Sequence, residues 1–166
     1  MKNLSKLLLL LILPMTILLG SPLLNAANDI YNLSDSEYNQ LVRRYIQDIL
    51  SLRDQAFSLS QMILSDPPQD EATILASMAS LNTQVDNLTQ SILNHLATVP
   101  SDSYHNRDAS LALSSLSLIK SSLYQLRLLK ESTDTAETYL LLEDFYLLRR
   151  SALEPLVILD TLIKRE

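Results

Sequence analysis

Apolar residues recur along most of this chain at alternating steps of four and three, the spacing that gathers them on one face of a packed α-helix. In the first such run Tyr38, Val42, Tyr45, Ile49, Leu52, Ala56, Leu59 and Ile63 follow one another without a break. A seam of this kind predicts a long helix that meets its neighbours at a shallow angle. Its start is marked by a capping box, in which Ser34 accepts from the amide of Glu37 and Glu37 reaches back. Leu33 and Tyr38 stand where a hydrophobic staple would. Asp66-Pro67-Pro68-Gln69 stops this run and is expected to start the next, with Asp66 as cap and Pro67 at the first helical position.

The second run continues through Ile74, Met78, Leu81, Val85, Leu88, Ile92 and His95, and Pro100 ends it inside a loop from Thr98 to Asp102. A third helix is predicted from near Ser103, with a core stripe of Ala112, Leu116, Ile119, Leu123 and Leu126. After a short break at Glu131-Ser132-Thr133, Asp134 and Glu137 form a box-like start for a fourth. That helix carries Leu141, Phe145, Leu148, Ala152, Leu156, Leu159 and Ile163. Pro155 lies within it and is expected to kink or split it near that point, since the ring removes a hydrogen bond and clashes with the preceding turn. Short connections make neighbours antiparallel. The expectation is an all-α chain, with residues 34–166 forming one up-down-up-down antiparallel four-helix bundle about 45 Å long.

The residues before Ser34 read differently. Lys2 and Lys6 precede the apolar run Leu7 to Leu13, and a more polar stretch ends in the small residues Ala26 and Ala27. That order is the order of a secretory signal peptide, expected to be cleaved after Ala26 and to leave 27–33 as a short extension. Leu24 is large for its place before the cut, and Leu7 to Leu24 comes close to the ~18 residues of a membrane span, so an uncleaved anchor is the alternative. Pro14 and Pro22 weaken a lasting helix there and favour cleavage. Both readings export the bundle, to the periplasm, the cell envelope or the medium.

Composition narrows the chemistry. The chain has no cysteine, which excludes disulfides, a lipid-modified cysteine anchor, c-type haem attachment and thiolate metal sites. Its one glycine, Gly20, falls in the signal segment. Without Lys2 and Lys6 the thirteen basic residues become eleven against nineteen acidic, a net of −8 that repels nucleic acid. Two glycosylation sequons, at Asn32 and Asn87, have meaning only in a eukaryotic secretory pathway.

Candidate chemistry is sparse. His95 falls on the seam of the second helix, unless Leu96 takes the core position and turns it outward. A haem between a histidine and a methionine is not expected, because Met62 and Met78 lie at the other end of an antiparallel bundle from His95. His95, Asp102, His105 and Asp108 gather around the second loop, but their spacing matches no ligand pattern, and no metal is expected. Serines lie on helical faces with no strained turn to expose one, so no enzyme and no cofactor are expected. Glu143 and Asp144 read as a solvated edge paired with Arg149 or Arg150.

The outer faces say more. Opposite the core stripe of the third helix runs a row of Ser110, Ser114, Ser117 and Ser121, with Leu111 and Leu118 beside it. The fourth helix has Tyr139, Tyr146 and Leu153 spaced by sevens, with Val157 following, roughly opposite its own core stripe. From Ala72 to Ser101 the only charged residue is Asp86. Neutral surface with small residues, leucines and tyrosines suits docking of another helix. A broad core with a kink at Pro155 would bury the same side chains inside one molecule, and the two readings stay open at this level. The expectation is a non-enzymatic exported bundle acting by protein contact, with itself or with an envelope or secreted partner. Leu111, Ser114, Leu118, Tyr139, Tyr146 and Leu153 are the candidate contact residues. The alternative is a bundle that binds a small molecule or cofactor beside Tyr38, Tyr45 and His95, near one end.

Overall fold

The computed structural model describes residues 33–65, 70–100 and 103–164, and the expected signal segment and cleavage point lie outside them. Among the described residues every regular element is an α-helix: α1 (Asp35–Ile63), α2 (Glu71–Leu96), α3 (Tyr104–Glu131), α4 (Thr135–Ser151) and α5 (Leu153–Ile163). None of them is long and apolar enough to cross a membrane.

Four of the five start on a side-chain cap. Ser34 forms the full capping box, with its amide donating to Glu37 Oε2 at 2.9 Å and its Oγ accepting from the Glu37 amide at 3.4 Å. Those bonds hold the Glu37 carboxyl below its usual pKa, chiefly through the Ser34 amide. Ser103 accepts from the amide of His105, and Asp134 from that of Glu137. Glu137 does not complete a box; its carboxylate accepts a hydrogen bond from the Ser132 hydroxyl at 2.7 Å instead.

The start of α2 corrects the sequence expectation. The helix begins at Glu71 and is capped by Asp70, which accepts from both the amide and the hydroxyl of Thr73 at 3.1 Å. Asp66 and Pro67, expected in these roles, lie outside the described residues. A cap needs a donor three residues on, and Thr73 supplies two to Asp70.

The heptad seams become the core. Tyr38, Val42, Tyr45, Ile49, Leu52, Ala56 and Leu59 of α1 are buried together with Ile74, Met78, Leu81, Val85 and Ile92 of α2. Ala112, Leu116, Ile119, Leu123 and Leu126 of α3 join them, with Leu141, Phe145, Ala152, Leu156, Leu159 and Ile163 from α4 and α5. Helix α3 packs against each of the other four. Its contacts with α2 include Lys130 to Glu71 at 2.6 Å near one end and Lys120 to Asp86 at 2.5 Å further along.

The predicted fourth helix is divided at Ala152, three residues before Pro155. Proline has no N–H to offer the carbonyl four residues back, that of Ser151. Ala152 keeps near-helical dihedrals (φ −63°, ψ −17°), ends α4 and begins α5, and α5 alone lacks a side-chain cap. From α3 the buried Ser115 hydroxyl donates to the Ala152 carbonyl at 2.7 Å, which ties the break to the core. Ser115→Ala should cost about 1 kcal/mol in urea unfolding, the usual worth of a buried hydrogen bond. Ser122→Ala, whose hydroxyl bonds only the Ile119 carbonyl of its own helix, should cost clearly less. Equal losses would show that the Ser115 bond does not hold the break.

Candidate functional site

At one end of the molecule the first turns of α1 and α3 meet the last turn of α2. Tyr38 stands at the centre. Its ring packs against His105 at 3.8 Å, Tyr104 at 5.6 Å and His95 at 5.9 Å between centroids. Tyr45 lies one layer deeper, its ring 6.2 Å from that of His95. The Tyr38 hydroxyl donates to Asp108 Oδ2 at 3.1 Å, while Arg107 holds Asp108 Oδ1 at 2.9 Å. Asp108 is thus a buried carboxylate with a cation on one oxygen and a phenol on the other. A buried charge is tolerable only with such partners.

His95 is the exception to that economy. It is 1% exposed, and neither ring nitrogen has a hydrogen-bond partner. The remaining buried polar side chains among the described residues, Ser60, Ser115, Ser122 and Asp108, all make one. Burial pushes the His95 pKa down, His105 pushes it further, and Asp108 offsets part of the effect. Burial likewise raises the Tyr45 phenol. His95 therefore occupies the core position and stays neutral, and Leu96 is the half-buried neighbour. The metal candidates His95 and His105 sit 6.3 Å apart ring to ring, and Asp102 lies outside the described residues. No group of three or more His, Cys, Asp or Glu able to hold a metal occurs among the described residues.

The contact candidates fall into two groups. Leu111 and Leu118 of α3 are half-buried and pack against the core. Ser114 is exposed and donates to the Ser110 carbonyl at 2.9 Å. On α4 and α5 the apolar surface is open: Tyr139 is 70% exposed, Leu140 64% and Val157 64%, and Tyr146, Leu147 and Ile158 are exposed beside them. Leu153 is half-buried and lines, with Leu147, Arg150, Ser151, Glu154, Val157 and Ile158, a groove of about 480 Å³. Compared with protein families, curated proteins and solved structures, the chain matches none.

A second concavity of about 540 Å³ follows the seam between α1 and α2, lined by Ser58, Leu59, Met62, Ala76, Ser77 and Ser80 among others. Gln55 joins it to a neighbouring one of about 380 Å³ that reaches Asn87 and Leu88. It is the charge-poor surface that the composition of α2 foretells.

Two features escaped sequence reasoning. Leu140 and Leu147 each follow by one position the Tyr139 and Tyr146 that the spacing by sevens singled out, and Ile158 follows Val157 in the same way. Arg149 does not pair along its helix with Glu143 or Asp144. It reaches across to α1, where its Nε donates to the Arg53 carbonyl at 3.1 Å and its terminal nitrogen meets Asp54 at 3.2 Å. Its guanidinium also lies over the Phe57 ring at 4.8 Å. Burial and the nearby Arg53 lower its pKa, with Asp54 opposing them. No pattern within one helix reports a pairing between two.

The buried histidine fixes a pH dependence. Folded His95 binds its proton below the ordinary 6.5, so the unfolded chain holds more protons as pH falls through that value. Stability should therefore drop between pH 7.5 and the lowered pKa, by at most about 1.4 kcal/mol per pH unit for one group, and level off below it. Tyr38 and Tyr45 face it from α1 and His105 and Asp108 from α3, and all four are retained in a variant at position 95. His95→Leu removes two unpaired nitrogens and should flatten the slope of urea midpoints over this range while keeping the pH 7.5 midpoint. An unchanged slope in the variant would locate the acid sensitivity elsewhere.

Proposed function

We propose that this chain is an exported, non-enzymatic helical bundle that acts by protein contact through the outer face of α4 and α5. One observation carries the reading. Six of the eleven large hydrophobic side chains that are exposed among the described residues lie within 139–158, and three of them, Leu147, Val157 and Ile158, line a groove there. Scattered single exposed apolar residues are ordinary, and a contiguous set flanked by charges is the usual mark of a contact surface. Export rests on the charged, apolar and small-residue zones of residues 1–26. The acidic balance argues against nucleic acid as the partner.

The architecture that goes with this reading is up-down-up-down and antiparallel, over residues 34–166. It is supported by the pairing of Glu71 with Lys130 and Asp86 with Lys120, which run in opposite directions along α2 and α3. His95 near the end of α2 against Tyr38 near the start of α1 argues likewise. Ser115 early in α3 against Ala152 after the end of α4 completes the set.

A second reading, a small molecule held beside Tyr38, Tyr45 and His95, is favoured by the two unpartnered His95 nitrogens. The surrounding rings, 3.8–6.2 Å apart, fill that end with protein, and contact is placed first for this reason. Native mass spectrometry separates the two, because a retained ligand adds mass to the monomer.

The test of the contact reading is photo-crosslinking in the native host. A crosslinker at Leu147 should yield one discrete adduct, and one at Thr83, exposed on α2, should not. Val157→Asp in the Leu147-labelled chain should abolish the adduct while shifting stability by no more than about 0.5 kcal/mol, as for other surface changes. Equal labelling from both positions, or none from Leu147, would overturn it.

A further inference from the structure

The groove on α4 and α5 has an internal symmetry that selects its occupant. Count outward from Ala152, where the helix divides. Arg150 and Glu154 stand two positions either side, Leu147 and Val157 five, Tyr146 and Ile158 six. All six are exposed, and all but Tyr146 line the groove. Two helices packed antiparallel about a two-fold axis bring each position against its mirror position. At Ala152 that operation sets Arg150 of one chain against Glu154 of the other, twice. It also sets leucine against valine and tyrosine against isoleucine. Such self-complementarity, in which residue i meets j and j meets i, is the requirement of an isologous interface.

We propose that the partner of this face is a second copy of the same chain, paired antiparallel about a two-fold axis at Ala152. The proposal rests on the contact reading above and names its occupant. Charge argues for it in both senses. Arg150 and Glu154 are not joined to other helices, unlike Arg149, whose guanidinium is turned inward onto Phe57 and Asp54. The like charges that the same register opposes, Asp144 and Asp160, are relieved by Lys164, which bonds Asp160 at 2.5 Å. A partner of unrelated sequence would have no reason to require a palindromic face.

The absence of cysteine makes the register directly readable. Leu147→Cys and Val157→Cys chains, each exported and purified, are oxidised alone and as an equimolar mixture. The mixture should give a disulfide-linked dimer between the two variants, in excess of either self-linked product. In sedimentation velocity on the unlabelled chain, Arg150→Glu and Glu154→Arg should each weaken dimerisation about tenfold, and the double exchange should recover most of it. Self-linked products in excess of the mixed one, or a double exchange weaker than both singles, would overturn the pairing. A monomer at every concentration would overturn it too. In that last case the Leu147 crosslink in the host keeps the two ideas apart: an adduct to a different protein leaves the contact reading standing, and no adduct removes both.

Discussion

Helix α3 carries buried side chains on more than one face, among them Ala109, Ala112, Ser115, Leu116, Ile119, Ser122 and Leu123, and it packs against all four other helices. Small side chains let backbones approach closely, and in a chain without glycine after position 20 alanine and serine are what supply them. The serines are admissible because each buried hydroxyl finds a carbonyl, Ser122 within its helix and Ser115 across to Ala152. The position of α3 in turn settles where the break before Pro155 can lie. The Ser115 hydroxyl of α3 bonds the Ala152 carbonyl, next to the Ser151 carbonyl that Pro155 leaves without its helical donor.

The polar end of the bundle follows from the same arrangement. Starts of α1 and α3 and the end of α2 converge there, so Tyr38, His95 and Asp108 are brought together from three elements. Tyr38 and Arg107 neutralise and bind Asp108, and no comparable donor reaches His95. The result is a packed aromatic layer with one neutral histidine inside it. Burial lowers the pKa of that histidine, and the rings of Tyr38, Tyr45 and His105 surround it.

The outer faces of the helices differ in how far the core covers them. On α3 the second apolar stripe is half absorbed by the core, since Leu111 and Leu118 pack against it. On α4 and α5 it is not, because those two helices lie on the outside with their core stripe turned to α3. The residues left outward are apolar beyond what one stripe requires, and they repeat about Ala152 with opposite charges.

Much of this was present in the sequence. The seams of all four predicted helices, the capping box at Ser34 and the interruption near Pro155 follow from spacing and from the chemistry of caps and proline, which act over a few residues. The seam residues are buried almost throughout; Ile63, Leu88 and Leu148 are only partly covered. His95 was legible as a seam residue, although Leu96 competed for the place. What sequence could not decide depends on contacts between segments far apart. These include the Ser115 bond to Ala152, the turn of Arg149 to α1 and the meeting of Tyr38 with Asp108. They also include the division of the second apolar stripes into a half-buried one on α3 and an exposed one on α4 and α5. Periodicity reports which face of a helix is apolar, because that is a property of one helix. Whether a second face is covered depends on how many neighbours the helix has, and only tertiary packing assigns neighbours.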